Sequence, residues 1–154
     1  MASPRHGAHA TSRNAVALTA TVHCLTGCAI GEVLGMALGT ALGWTNGATV
    51  LASIVLAFLF GYGLTSLPLL QSGLSLREVA PLALAADTLS IATMEIVDTL
   101  IVLIIPGALD AGLGDLLFWF SLVAALLLAG AAAYPVNRRL IDRGRGHALI
   151  HGRH

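Results

Sequence analysis

Charge is what this chain has least of. Only 10% of its 154 residues are Asp, Glu, Lys or Arg, against about 25% in an ordinary water-soluble domain. The acids and the basic residues, eight of each, cancel to a formal net charge of +0, so there is no basic field to gather nucleic acid. Two cysteines cannot brace a disulfide scaffold, and 56% hydrophobic residues exclude a disordered chain. Also missing are a glycine-rich phosphate loop, a strained nucleophile turn and the Glu-x-x-His spacing of di-iron helical bundles. Nothing in the residues argues for an enzyme, and no catalytic residue is assigned.

What is present is apolar length, with a mean hydropathy of +0.85. A helix needs about 20 largely apolar residues to cross the hydrocarbon layer. Four stretches meet that requirement, at residues 15–44, 48–67, 82–105 and 116–134. The expected fold class is therefore all-α, an integral membrane four-helix bundle with the lipid bilayer as its partner. Pro68, Pro106 and Pro135 follow three of these stretches and are expected to end them, since proline cannot donate the next backbone bond. Asn46-Gly47 is expected to turn the chain after the first. The Ser75-Leu-Arg-Glu78 sequence matches a capping box that opens the third helix, which Pro81 then bends. The expected organisation is an N-terminal segment at 1–14, the four-span domain at 15–134 and a basic, histidine-containing tail at 135–154.

The arginines set the orientation. Arg5 and Arg13 precede the first span and Arg77 lies between the second and third. Arg138, Arg139, Arg143, Arg145 and Arg153 follow the fourth, while the other two loops carry only Asp110 and Asp115. Four spans place every basic residue on one side, which the positive-inside rule makes cytoplasmic. That predicts a multi-pass protein of the bacterial inner (plasma) membrane with both termini in the cytoplasm. Leu25-Thr-Gly-Cys28 resembles a lipidation signal. However, the chain continues after Cys28 as Ala-Ile-Gly-Glu-Val-Leu-Gly rather than as a polar linker, so cleavage is not expected. The tail reads as a segment touching anionic lipid. The tail also holds His154, and in a second reading His147 and His151, one turn apart on a helix, receive or deliver a metal ion, with His6 and His9 on the same cytoplasmic surface.

Polar positions recur at a fixed offset. Cys24 and Asp87, and Glu32 and Glu95, are each 63 residues apart, and Tyr62-Gly-Leu-Thr-Ser is matched 72 residues later by Tyr134-Pro-Val-Asn-Arg. Such a pattern predicts two parallel helical-hairpin repeats about an axis along the membrane normal. It would set Glu32 and Glu95 at the same depth.

Two rows of the first span carry the chemistry. Gly27, Gly31, Gly35, Gly39 and Gly43 recur every four residues and form one ridge of the helix. Each costs about 1 kcal/mol of helix propensity, so the ridge needs a reason, and close approach of another helix supplies one. A wall lining a pore is the alternative. Beside it runs Cys24, Cys28, Glu32, Met36 and Thr40, with His23 next to Cys24. Free cysteines and Met36 alone would be ordinary packing. Glu32 would not, because a carboxylate at mid-bilayer costs about 2.5 kcal/mol or more. On the third span Asp87, Met94 and Asp98 share a stripe, with Glu95 about 80° around the helix. Three acids on one span must face another helix, a cavity or a cation.

The expected metal-ligating set is His23, Cys24, Cys28, Glu32, Asp87, Met94, Glu95 and Asp98. Thiol and thioether favour copper or zinc and carboxylates favour harder ions, so the set points to a transition-metal ion without naming it. The expected function is to bind and conduct that ion, in an assembly of several copies joined through the glycine row. A proton or alkali-cation channel with titrating acids is the first alternative. A non-transporting scaffold or metal sensor and a thiol oxidoreductase using Cys24 and Cys28 are the others.

Three segments carry a resemblance. His23-Cys-Leu-Thr-Gly-Cys-Ala-Ile-Gly-Glu-Val-Leu-Gly35 and Ala85-Ala-Asp-Thr-Leu-Ser-Ile-Ala-Thr-Met-Glu-Ile-Val-Asp98 are the specific ones. Tyr134-Pro-Val-Asn-Arg138 with Arg145-Gly-His147 is the third. Together they are similar to a bacterial membrane family catalogued only as a domain of unknown function, over nearly all of the chain after residue 15. The resemblance implies a small multi-span membrane protein and supplies no activity.

Overall fold

The computed structural model describes residues 5–143, with side chains from residue 12 onward. The chain folds up and down as four helices: α1 (Arg5–Leu42), α2 (Asn46–Gln71), α3 (Leu76–Ile104) and α4 (Leu116–Asp142). A single 3-10 turn, Ala108–Asp110, interrupts the longest connection. Local chemistry sets the ends. Gly43, at φ 64°, takes the left-handed conformation that closes α1, and the Thr45 side chain accepts from the Ala48 amide to open α2. Ser75 and Glu78 form the capping box of α3, with the Ser75 amide donating to Glu78 Oε2 at 2.9 Å.

Two boundary expectations are corrected. Pro68 and Pro135 lie inside α2 and α4, which continue to Gln71 and Asp142. A proline removes one helix bond, whereas stopping there would orphan four carbonyls in an apolar setting. Only Pro106 falls beyond its helix. The Asn46-Gly47 pair is the first turn of α2 and not the connection, which is Gly43 to Thr45. His147, His151, His154, Arg145 and Arg153 lie outside the described residues, as do the side chains of Arg5, His6 and His9.

The bundle is turned inside out relative to a soluble one. Ala57, Ala125, Ala129 and Ala133 are fully buried, while Leu116, Ile104 and Phe120 are largely exposed. That is the packing expected where lipid, not water, surrounds the helices and small residues permit close approach. The α1 segment Ser12–Leu42, α2 and α4 are each long and apolar enough to cross a membrane. The remaining helix, α3, turns Asp87, Glu95 and Asp98 inward and leaves Leu89, Ile96, Leu100 and Leu103 outside. The chain is a membrane protein, an all-α four-helix bundle.

The glycine row explains the α1–α2 pairing. A Cβ on Gly27 would stand 2.8 Å from Gly61 Cα, and one on Gly31 would run into the Ala57 backbone. Gly35 and Gly39 give way in the same manner to Ser53 and Thr49, whereas Gly43 meets nothing and serves only as the end of the helix. From Gly27 to Gly39 the row is occupied by α2 of the same chain.

The buried positions repeat at the offsets read from the sequence. Ala20, Cys24, Cys28, Gly31 and Gly35 of α1 correspond to Ala83, Asp87, Ile91, Met94 and Asp98 of α3, all buried. Thr49, Ala57, Gly61 and Thr65 of α2 correspond to Ser121, Ala129, Ala133 and Asn137 of α4. The contacts between hairpins are reciprocal too. Thr65 reaches from α2 to Asp87 on α3, and Asn137 reaches from α4 to Thr21 on α1 at 3.0 Å. Cys24 and Asp87, 63 residues apart, meet directly, at 3.9 Å.

Candidate functional site

Every third or fourth residue of α3 from Asp87 to Asp98 points to the bundle interior, which brings its polar stripe against the polar row of α1. The contacts run in register. The Cys24 thiol donates to Asp87 Oδ1, and Cys28 Sγ lies 3.9 Å from Met94 Sδ. Glu95 lies against the Cys28 thiol, and Glu32 lies within hydrogen-bonding reach of Asp98. Thr65 and Ser90 add hydroxyls around the Cys24–Asp87 pair. Seven of the eight expected ligands therefore lie on one face, shared by α1 and α3. His23 is half-buried.

A cavity of about 460 Å³ reaches from the loop end of the bundle to Glu32, Glu95 and Asp98. Met36, Thr49, Ser53 and Ser121 line its walls, and Trp44, Asn46 and Asp110 stand at its mouth. There the Asn46 side-chain amide donates to Asp110 Oδ1 at 2.8 Å, tying the α1–α2 turn to the α3–α4 connection. Asp115 keeps this rim in shape by accepting the Gly112 amide at 2.7 Å.

The floor of the cavity is chemically unfinished. Glu32 Oε1, Glu95 Oε1 and Asp98 Oδ1 are buried and receive no hydrogen bond, although Glu95 and Asp98 are only 5% and 6% exposed. Buried polar atoms are nearly always paired, so each of these requires an explanation. No arginine or lysine lies between residues 14 and 76 or between 78 and 137, so no fixed cation in the spans can neutralise them. Carboxyl groups placed this way are satisfied by water in the cavity, by a proton held between two of them or by a shared positive guest. Among the described residues, no three His, Cys, Asp or Glu side chains are gathered as a finished metal cage.

Toward the termini end the interior closes. Cys24, Cys28, Ala57, Ile91, Met94, Ala129 and Ala133 form one buried cluster. Each cysteine faces α3 rather than the other cysteine, Cys24 toward Asp87 and Cys28 toward Met94. Several site residues had no signal of their own in the sequence. Asn46 reads as a turn residue and Asp110 as a loop charge, and Thr65 is one hydroxyl among many. What could have singled out Thr65 is its place, 72 residues before Asn137.

The chain belongs to the family described as a domain of unknown function, DUF4396, whose pattern it matches over residues 13–146. No curated protein and no solved structure matches it.

Proposed function

We propose that the protein takes a transition-metal cation from the cavity onto Glu32, Glu95 and Asp98 and conducts it along the α1–α3 face past Cys28, Met94, Cys24 and Asp87. The observation that supports this most directly is a cavity that ends on three buried carboxyl groups whose inner oxygens have no donor. Carboxylates receive the ion with little discrimination, and sulfur further in retains those of softer character. Arg13, Arg77, Arg138, Arg139 and Arg143 cluster at the termini end, and the positive-inside rule then makes that end cytoplasmic and opens the cavity to the far side of a plasma membrane. The residues named along this path all belong to one chain.

A second reading has its own support. The Glu32–Asp98 pair is an arrangement that one shared proton satisfies, which suits proton passage. Liposomes containing only the purified protein separate the two. Loaded with a metal-responsive dye, they are expected to report uptake of Zn²⁺ or, under reducing conditions, of copper(I), reduced on the order of tenfold or more by Glu32→Gln and by Asp98→Asn. Uptake of neither metal, with a proton signal lost in those variants, establishes the second reading. No flux of either kind leaves the protein a scaffold and overturns both.

A further inference from the structure

Below the acids, Cys28 Sγ and Met94 Sδ face each other at 3.9 Å, and both residues are buried to within 1% of full enclosure. A d¹⁰ metal ion bonds sulfur at about 2.3 Å. Two such bonds at an angle between tetrahedral and trigonal place their sulfurs about 3.8 to 4.0 Å apart. The observed separation falls in that window, so the two sulfurs need not change their spacing to share an ion. The third direction is also provided for: the Glu95 carboxyl lies against Cys28, and its Oε1 is buried without a donor.

We propose that Cys28, Met94 and Glu95 form a three-coordinate site for a soft monovalent ion, copper(I) in class. The thioether selects the ion. Zinc is bound by thiolate, imidazole and carboxylate, whereas methionine sulfur favours copper(I). Neither Cys24 nor Asp87 takes part, because that pair faces its own partners further toward the termini end. Binding forms one Cu–S bond to Cys28 and releases the thiol proton to solvent through the cavity that Glu95 lines. Copper stays Cu(I) throughout, so no electron donor or acceptor is involved.

This inference rests on the proposed metal path but is tested apart from it. Copper(I) is added anaerobically to the purified, detergent-solubilised chain, and binding is followed by competition with a colorimetric chelator and by X-ray absorption. One ion per chain is expected, with two sulfur neighbours at about 2.3 Å. Met94→Leu, close in volume, should weaken binding by at least about tenfold and remove one sulfur, since even indirect supports of a metal site are worth that much. Cys28→Ser should do the same, and Cys24→Ser should leave both sulfurs in place. Two sulfurs retained in Met94→Leu, or one lost in Cys24→Ser, would overturn the site, as would a wild-type chain that binds no copper. Copper bound as described in a protein that carries no metal across liposomes overturns the path and upholds the site. Metal flux dependent on Glu32 without copper(I) binding does the reverse.

Discussion

The two hairpins occupy equivalent places in the bundle and are built differently. Where α1 has Gly27, Gly31 and Gly35, α3 has Ser90, Met94 and Asp98 at the same offset of 63. In the first hairpin the glycines let α2 lie against the α1 backbone, down to Gly61 and Ala57. In the second, the corresponding positions carry side chains that fill the space between hairpins, and Phe118 and Leu122 of α4 wall the space above them. The first hairpin is a clasp that adds Cys24, Cys28 and Glu32 to the site, and the second holds the stripe with three acids. The difference shows how a small membrane protein can bury acids: one closely packed pair of helices holds the geometry, and the other carries most of the groups that the lipid would otherwise expel.

The largest effect should come from breaking the clasp. Gly31→Leu drives a side chain into the Ala57 backbone, which has no rotamer to give way, and should cost about 3 kcal/mol or more. Thermal unfolding in detergent, followed by helical circular dichroism, should show a protein that is lost or melts far below the parent. The equivalent change in the other hairpin, Met94→Leu, exchanges one side chain for another of similar volume and should cost less than about 1.5 kcal/mol. Gly63→Leu is the control, since nothing lies within 4 Å of its added Cβ, and it should melt with the parent. Equal losses for Gly31→Leu and Met94→Leu would erase the distinction between clasp and carrier.

A smaller effect compares the reciprocal ties between hairpins. Asn137 donates to Thr21 Oγ1, both almost fully buried, while Thr21 also donates to the Ala17 carbonyl. Asn137→Ala should therefore cost about 1 kcal/mol, the usual scale for a hydrogen bond between membrane helices. The same measurement on Thr65→Val removes the tie from α2 to Asp87 on α3. A similar cost for both marks the two ties as equivalent struts of a repeated unit. A much larger cost for Thr65→Val would make Asp87 an ionised group that depends on its donors.

Much of this was legible in the sequence because membrane helices advertise themselves. Four apolar stretches gave the helix count, the row from Gly27 to Gly39 gave the close pairing, and the spacing of Asp87, Met94 and Asp98 gave one inward stripe. The Ser75–Glu78 box was equally plain. The helix ends near Pro68 and Pro135 were not legible, because the local cost of proline is smaller than the cost of abandoning carbonyls in hydrocarbon. The cavity mouth was hidden for another reason: the Asn46–Asp110 bond joins two loops 64 residues apart, and no local pattern reports such a meeting. Which ligands pair with which was equally invisible. Helix periodicity places Cys28 and Met94 on inward faces but says nothing about the vertical offset between α1 and α3, which the packing of small residues sets.

The smallest effect concerns the place where the first hairpin begins and the second ends. Arg13 donates to Asp142 Oδ1 at 3.2 Å, linking α1 to α4 across the termini end, with both side chains about half exposed. It spans the same two helices as the Asn137–Thr21 bond but carries full charges, and counting charge alone would rank it first. Solvent reverses the order. Water and salt screen an exposed pair, and the long arginine side chain loses freedom to make it, so such bridges are worth about 0.2–1 kcal/mol at most. Arg13→Gln should thus lower stability by about 0.5 kcal/mol or less, and the loss should vanish in 1 M salt. Thermal unfolding of Arg13→Gln beside Asn137→Ala, at low and high salt, checks the ranking. A cost for Arg13→Gln that exceeds that of Asn137→Ala and survives high salt would place this end within the low-dielectric region, and with it would move the boundary of the membrane along α1 and α4.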